Sequence, residues 1–381
     1  MTSEWLDVIQ RVDAIAELAV ESRLVGEMQR RGTVAKPLPI HFYTPTFKTY
    51  RSLELTDCGR SAWPAVSITG GNCKLQCDHC KAKILEPMIP ATTPEVLWDT
   101  VVGLVVSGAG GMLLTGGSNH RDEVEYGPFY PTIRRIKNQF PAFRIAMHTA
   151  LVDYATARQM ADAGIDAAMM DVIGAQDTIT QVYHLKRGVD DFERSLEYLN
   201  ETSMKVVPHI VIGLHYGHLL GEWNALEIVR RQQPDALVLV VVMPMYAPAH
   251  RPFAVPNAHE VGQFFLDARQ ALPEVPILLG CARPPGAIKP LIDAYAVLAG
   301  IDGMAHPSEG MVELAARLGR RVRVTPSCCS IAVGDEVMAV AENGSVELDL
   351  EEIMEHERRA RLAHGLGIPV AAGGCASGGC R

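Results

Sequence analysis

Short apolar runs alternate with amphipathic stretches between about residues 65 and 318. Eight runs have the length and composition of buried strands: Ala65–Thr69, Met112–Thr115, Arg144–His148, Ala167–Val172, Val206–Gly213, Ala236–Met243, Ile277–Cys281 and Gly303–His306. Apolar residues recur at helical spacing in the segments between them, such as Asp153–Ala163, Asp191–Glu201, Glu222–Gln232 and Ala258–Ala271. This alternation favours an α/β fold with a parallel sheet, closed most simply as a full or nearly full (β/α)8 TIM-type barrel. A doubly wound open sheet is the alternative architecture.

The segment before this region follows a different pattern. Apolar residues three and four positions apart predict one amphipathic helix over 3–31, which Gly32 ends. Prolines and alternating aromatic residues in 34–55 predict an extended arm laid over a larger body. We therefore expect an N-terminal helix and arm over 1–60, followed by the barrel over 61–320.

The chain beyond the barrel forms a third region, a C-terminal extension over 321–381. Arg321–Thr325 and Glu336–Val340 predict a pair of strands, and Leu348–Leu366 predicts a charged helix. The last eleven residues are rich in glycine and lack apolar periodicity, which is typical of a disordered tail, but they contain Cys375 and Cys380.

Charge and hydropathy exclude several classes of protein. Among 381 residues, 44 acidic and 35 basic side chains leave a net charge of −9, which argues against a surface for nucleic acid or anionic membranes. The longest apolar run, Ala236–Met243, is far shorter than the ~20 residues of a membrane span. The amino terminus has no basic and apolar pattern of a signal peptide. We expect a cytoplasmic protein with no nucleic-acid or membrane partner.

Nine cysteines change this picture, because in a reducing compartment clustered cysteines indicate metal binding or catalysis rather than disulfides. Three of them form the run Cys73-Lys-Leu-Gln-Cys77-Asp-His-Cys80, directly after the first predicted strand. Three thiolates in such a run can hold an iron–sulfur cube and leave one iron without a protein ligand, which marks a working site. A zinc knuckle with His79 or a distant cysteine as the fourth ligand is the structural alternative.

This CxxxCxxC motif after the first barrel strand resembles the radical S-adenosyl-L-methionine (SAM) superfamily. The resemblance implies a [4Fe-4S] cluster held by Cys73, Cys77 and Cys80, with SAM chelated to the open iron. Reductive cleavage of SAM then gives a 5′-deoxyadenosyl radical that abstracts hydrogen from an unactivated C–H bond. A ferredoxin or flavodoxin type of reductant is implied as partner.

The resemblance also implies cofactor-binding positions at the carboxyl ends of other strands. His79 fills a place that is often aromatic, and Gly116-Gly117-Ser118 matches a Gly-Gly-Glu turn whose backbone holds the SAM amino group, with Ser118 departing from the glutamate. The remaining cofactor candidates are Asp171, Arg187 as partner of the SAM carboxylate, and Gly213 on the adenine-contacting strand. Polar residues at other strand ends are further candidates for the pocket: His148, His209, His215, Cys281 and Arg283.

Four cysteines outside the barrel could hold a second, auxiliary Fe–S cube, namely Cys328, Cys329, Cys375 and Cys380. Cys58 could replace one of the adjacent pair. A redox-active or sulfur-relay tail, or a free disordered tail, are the alternatives.

Residues 60–320 are similar to the biotin and lipoyl synthase group in three segments: Asp171-Val-Ile-Gly-Ala, Tyr183-His-Leu-Lys-Arg-Gly-Val-Asp-Asp-Phe192 and Cys281-Ala-Arg-Pro284. Within that group the chain most resembles a component of the two-component lipoyl synthases. The arm Phe42-Tyr43-Thr44-Pro45-Thr46-Phe47-Lys48 also resembles that subgroup. The resemblance implies sulfur insertion into a protein-bound octanoyl chain, with an octanoylated carrier protein and a second radical SAM protein as partners. Another biotin-synthase-like activity without sulfur insertion, such as a mutase or a metallocofactor maturase, is the alternative. A non-enzymatic Fe–S electron carrier or zinc scaffold is the third hypothesis.

Overall fold

The computed structural model describes residues 4–34, 39–44, 52–55, 63–325 and 346–365. One curled sheet of twelve strands carries the fold. Its strands are β1 (Pro39–Tyr43), β2 (Ala65–Ser67), β3 (Ile89–Pro90), β4 (Gly111–Thr115), β5 (Arg144–His148), β6 (Ala167–Asp171), β7 (Lys205–Ile212), β8 (Leu237–Val241), β9 (Ile277–Leu279), β10 (Gly303–Ala305), β11 (Arg321–Thr325) and β12 (Val346–Leu348). Their spatial order is β12-β11-β1-β10-β9-β8-β7-β6-β5-β4-β2-β3.

Helices connect most of these strands. They are α1 (Glu4–Gln10), α2 (Ser22–Arg31), α3 (Pro94–Val106), α4 (Tyr130–Gln139), α5 (Tyr154–Ala163), α6 (Gln176–Gln181), α7 (Val189–Asn200), α8 (Glu222–Gln232), α9 (Ala258–Ala271), α10 (Ile288–Leu298), α11 (Met311–Arg317) and α12 (Leu350–Gly365). Local signals fix several helix starts, since the side chains of Thr93, Asp153 and Asn257 accept hydrogen bonds from first-turn amides of α3, α5 and α9.

The predicted α/β class is confirmed, and each of the eight predicted apolar runs contains a strand. Strands β1 to β11 run parallel to one another, and the sheet of the described residues stays open between β3 and β12. Side chains from many strands nevertheless meet inside the curl, as in a barrel, among them Tyr43, Trp63, Met169, Val207, Val238 and Leu278. A second, larger core lies between the sheet and the helices. Burial on both faces explains why the strands are nearly continuous apolar runs.

The expected arm at 34–55 is only partly confirmed. Pro39–Tyr43 is extended, but it lies within the sheet as β1, between β10 and β11, and not over the body. Ile40 and Phe42 face one core and Tyr43 the interior of the curl, so this part of the segment is a strand buried on both faces.

The prediction of one helix over 3–31 is wrong. Two helices, α1 and α2, are separated by turns, and Gly32 ends the second in the left-handed conformation expected of a C-cap. Val12 and Ile15 in the intervening turns are buried, and a Cβ on Gly310 would lie 3.1 Å from each of them. Packing of these side chains on the amino-terminal end of α11 thus overrides the helical periodicity.

The C-terminal extension begins as predicted with a strand. β11 pairs antiparallel with β12, whereas the predicted partner at Glu336–Val340 lies outside the described residues. α12 follows at Leu350–Gly365, close to the predicted span. Among the helices that the structure describes, none combines the length and apolar character that a membrane crossing requires.

Candidate active site

The three cysteines of the triplet line one cavity of about 300 Å³ at the carboxyl ends of the strands. Gly116, Gly117 and Ser118, which follow β4, lie on the wall of the same cavity. The sequence brings the two motifs together because β2 and β4 are neighbouring parallel strands, so the segments after them emerge side by side.

Gly117 provides the space in which the cysteine loop passes. A Cβ at this position would lie 2.0 Å from the carbonyl oxygen of Asn72 and 2.5 Å from Cα of Cys73. The Gly117 amide donates to Oγ1 of Thr69 at 2.7 Å. The Ser118 carbonyl accepts from the Lys74 amide at 2.9 Å, and the Cys73 thiol donates to it at 3.7 Å. The backbone of this turn therefore holds the start of the cysteine loop.

Cys77 is buried, whereas His79 and Cys80 are partly buried at the wall of the cavity. Burial raises the pKa of the Cys77 thiol. Burial also disfavours charge on Cys80 and His79, but their mutual attraction prevails and lowers the pKa of Cys80 while raising that of His79. The His79 ring stacks on Tyr183 with centroids 5.2 Å apart, and within the described structure its buried Nδ1 has no hydrogen-bond partner.

The lining of the cavity fits an iron–sulfur cube. The described residues contain no group of three or more His, Cys, Asp or Glu side chains close enough to hold one metal ion. The cysteines of a cube each bind a different iron, so their thiols are spaced more widely than the ligands of one ion. Three unpaired thiols around one cavity, a glycine cradle and a buried, unpartnered His79 nitrogen suit such a cluster with a bound polar cofactor.

A polar cluster formed by His148, Asp171 and His209 lies at or near the carboxyl ends of β5, β6 and β7 on the cavity wall. His148 Nε2 is 3.6 Å from Asp171 Oδ1, and the rings of His148 and His209 meet edge to face at 5.7 Å. Tyr183 donates to Asp171 Oδ2 at 3.3 Å. Burial disfavours charge throughout, but the ion pair between His148 and Asp171 raises the pKa of His148 and lowers that of Asp171 to about 2.

Burial shifts the pKa values of two further groups on this wall. Burial, reinforced by His148, lowers the pKa of His209 to about 4. Burial raises the pKa of Asp122 to about 6, with Asp171 adding to the shift and a hydrogen bond from Ser118 opposing it. At neutral pH the cavity therefore offers an ionised Asp171 and a neutral His209 to a polar ligand.

The rest of the cavity is apolar. Its lining includes Leu113, Met169, Val211, Val238, Val240, Val242 and Met243. Cys281, which follows β9, also lines it, as the sequence predicted for a residue at that strand end. The cavity wall thus has a polar part and an apolar part, which suits a ligand with a polar head and an apolar body.

Four predicted site residues lie elsewhere. His215 does not line the cavity, and its Nδ1 lies 3.2 Å from Oγ1 of Thr178. Arg187 pairs with Glu123 at 3.1 Å and does not line the cavity. Gly213 is also absent from the lining; it adopts a φ of 78°, and a Cβ there would lie 2.6 Å from Cγ of Pro256. Arg283, predicted near the mouth, is wholly buried, where it pairs with Asp293 at 2.7 Å and donates to the carbonyl oxygens of Ala305 and His306. Its role is structural.

Asp78, between the second and third cysteines, was not singled out by the sequence. Its side chain is only 3% exposed and accepts hydrogen bonds from four groups: Lys81 Nζ at 2.7 Å, His184 Nε2 at 3.0 Å, Tyr216 OH at 3.1 Å and Arg251 NH1 at 3.1 Å. These contacts hold the pKa of Asp78 far below its usual range, although burial opposes the shift. Asp78 ties the cysteine loop to the loops that follow β6, β7 and β8. Three of its four partners, His184, Tyr216 and Arg251, are distant in sequence, so the motif alone gives no signal of this role.

The candidate ligands of an auxiliary cluster, Cys328, Cys329, Cys375 and Cys380, lie outside the described residues, as does Cys58. The predicted second cluster therefore stays a prediction.

Comparison of the sequence with protein-family models gives no match, and comparison with curated proteins gives none either. Among solved structures, HydG, a maturase of the [FeFe]-hydrogenase, is 14% identical; the match covers 96% of this chain and 89% of HydG with a TM-score of 0.55. Methylornithine synthase (PylB) is also 14% identical, with 97% of this chain and 98% of that chain covered and a TM-score of 0.49. The chain thus shares the fold of the HydG maturase, with strands and helices alternating around a curled parallel sheet.

Proposed function

We propose that this protein is a radical SAM enzyme that cleaves S-adenosyl-L-methionine reductively and functionalises an unactivated C–H bond. One observation carries the proposal: all three cysteines of the CxxxCxxC motif line the same barrel cavity as the Gly116-Gly117-Ser118 turn. A zinc scaffold or a simple electron carrier has no need of a large apolar cavity beside its metal site. The fold shared with HydG is consistent with the proposal.

Different residues of the cavity have different roles in this proposal. Cys73, Cys77 and Cys80 hold a [4Fe-4S] cluster, which together with SAM supplies a 5′-deoxyadenosyl radical when both are bound. The turn after β4 fixes the cysteine loop. His79, with its buried Nδ1, and Asp171 hydrogen-bond the polar parts of SAM. The surrounding apolar wall excludes water, which protects a radical from side reactions.

The substrate proposed for the apolar part of the cavity is an octanoyl chain on a carrier-protein lysine, into which sulfur is inserted as in lipoyl synthesis. The valines and methionines that line the cavity suit an acyl chain, and the similarity to two-component lipoyl synthases supports the choice. Insertion also needs a sulfur source, for which the auxiliary cluster at the C-terminal cysteines is proposed. A mutase or maturase activity without sulfur insertion is the alternative.

The first experiment is anaerobic reconstitution with iron and sulfide, followed by SAM, dithionite and an octanoyl-lysine peptide. 5′-Deoxyadenosine is expected from the wild type and not from a variant in which Cys73, Cys77 and Cys80 are all alanine. Cys281→Ala is the matched control, since it removes a cavity thiol outside the motif and is expected to keep the iron. Failure of the wild type to form 5′-deoxyadenosine would refute radical SAM chemistry.

Two readouts then separate sulfur insertion from its alternative. About eight iron atoms per chain are expected with an auxiliary cluster and about four without one. Thiolated octanoyl peptide, detected by mass spectrometry, supports the lipoyl assignment. 5′-Deoxyadenosine without any thiolated product would favour a mutase or a maturase.

A further inference from the structure

The loop that carries the cysteines has two faces. Cys77, His79 and Cys80 line the cavity, whereas Asp78 and Lys81 line a shallow recess of about 570 Å³ on the outer surface. The rest of the recess is formed by Thr180, Gln181, His184, His250 and Arg251. A single thickness of chain therefore separates the cavity from the recess.

The recess is cationic, although the chain carries a net charge of −9. Lys81 and Arg251 line it, and the Arg251 side chain is 50% exposed. His184 and His250 add two more nitrogen donors. Among the described residues that line the recess, Asp78 is the one carboxylate, and it is almost wholly buried beneath the cations.

The charged groups of the recess are held in fixed positions. Asp78 binds Lys81 and Arg251, one on each of its two oxygens, and His184 shares the first oxygen with Lys81. Tyr216 donates to Asp78 and accepts from Arg251 at 3.0 Å. A surface with its side chains ordered in advance loses less conformational entropy when a partner docks.

We propose that this recess is the docking site for a ferredoxin-type electron carrier, a small acidic protein that delivers one electron at a time. The inference rests on the proposed function, because reductive cleavage of SAM needs an electron from outside. One electron leaves the reduced carrier, which becomes oxidised, and passes to the cluster held by the triplet. No bond forms or breaks at the recess. Lys81 directly follows Cys80, so the carrier docks next to a cluster ligand while the cavity stays closed.

The size and charge of the recess match such a transient partner. Redox encounters use small interfaces, and complementary charges raise their association rates. Acidic side chains around the carrier's redox centre would meet Lys81 and Arg251 on this chain.

The test adds negative charge to the rim and leaves the bonds around Asp78 in place. Gln181 and His250 are exposed, so the double variant Gln181→Glu/His250→Glu makes the recess more acidic at pH 8. Asn138→Asp/Gln139→Glu makes the same charge change at the end of α4, which precedes β5 and so lies at the opposite end of the strands. Binding of an oxidised low-potential ferredoxin to the full chain is measured by calorimetry at low and moderate salt. Formation of 5′-deoxyadenosine is measured with reduced ferredoxin and, separately, with dithionite.

The rim variant is expected to weaken ferredoxin binding about tenfold or more at low salt, and less at higher salt. Its ferredoxin-supported rate is expected to fall similarly, with the dithionite-supported rate unchanged and the control variant like wild type. Equal binding by the rim variant and wild type, or no binding by wild type, would overturn the proposal. Weakened binding of an octanoylated carrier protein with unaltered ferredoxin binding would overturn it too. Absence of 5′-deoxyadenosine with dithionite refutes the proposed function instead, and the calorimetry still decides the docking site.

Discussion

Replacing Gly117 by alanine tests whether the turn after β4 holds the cysteine loop. The new Cβ would lie 2.0 Å from the Asn72 carbonyl oxygen, at least about 1 Å closer than Cβ atoms approach backbone atoms in real proteins. It would also meet Cys73 at 2.5 Å from Cα and 2.6 Å from Cβ. Because these are backbone atoms or atoms next to the backbone, the first cysteine has to move.

Moving Cys73 is expected to affect both the unfolding free energy and the rate of 5′-deoxyadenosine formation. Overpacking of this kind costs about 1–3 kcal/mol of unfolding free energy, partly offset by the reduced freedom of the unfolded chain. A shift of about 1 Å in a catalytic group can cost ~100-fold in rate. We therefore expect reconstituted Gly117→Ala to retain less iron per chain and to form 5′-deoxyadenosine roughly 100-fold more slowly than wild type.

Gly71→Ala is the matched control, because it lies just before the cysteine loop and its Cβ would have no neighbour within 4 Å. It is expected to keep wild-type iron and to gain up to about 1 kcal/mol in urea unfolding. If Gly117→Ala matched Gly71→Ala in iron content, rate and stability, the turn would not position the loop and the reasoning from the cradle would fail.

Three further changes test other parts of the structure. Asp293→Asn leaves the wholly buried Arg283 guanidinium without its carboxylate and is expected to lower the unfolding free energy in urea by about 3–5 kcal/mol; a loss below 1 kcal/mol would contradict the structural role of the pair. Burial lowers the pKa of His209 from 6.5 to about 4, so between these pH values the unfolded chain binds a proton that the folded chain does not. The free energy of unfolding therefore decreases as the pH falls from 6.5 to about 4. His209→Gln is expected to remove about 2–3 kcal/mol of that fall, measured by urea unfolding of the apoprotein at pH 7 and pH 4.5; an unaltered slope would contradict the shift. Asp78→Asn removes the charge that joins Lys81 and Arg251, and it is expected to lower the unfolding free energy by about 1–3 kcal/mol and to reduce the iron bound per chain. Wild-type iron content in this variant would show that the cysteine loop stays in place without the Asp78 charge.

Local sequence predicts the barrel well because each strand–helix unit is specified by its own apolar pattern and helix caps. The runs at Arg144–His148 and Ala167–Val172, for example, end within one residue of β5 and β6. The cysteine triplet and the turn at Gly116 are likewise local signals at neighbouring strand ends. Their meeting in one cavity follows from the order of parallel strands.

The parts that the sequence did not reveal depend on contacts between distant residues. Nothing near Arg283 indicates Asp293, which is ten positions away on α10 and turns the arginine into a buried structural group. Arg187 matched a carboxylate-binding role by type, but Glu123 on a neighbouring loop takes it instead. Strand β1 was described by its composition as an extended segment, and only its two neighbours place it inside the sheet.

The position of β1 sets an order of assembly during synthesis. Its residues leave the ribosome among the first, yet His41 pairs with Gly303 and Arg323, about 260 and 280 residues later. At 5–20 residues per second the chain takes roughly 15–60 s to supply both neighbours. Ile40 and Phe42 on β1 therefore wait through most of translation before both neighbouring strands are available to cover them. β11 pairs with β1, β12 pairs with β11, and the C-terminal helix packs against α11, so these elements can join the fold only at the end of synthesis.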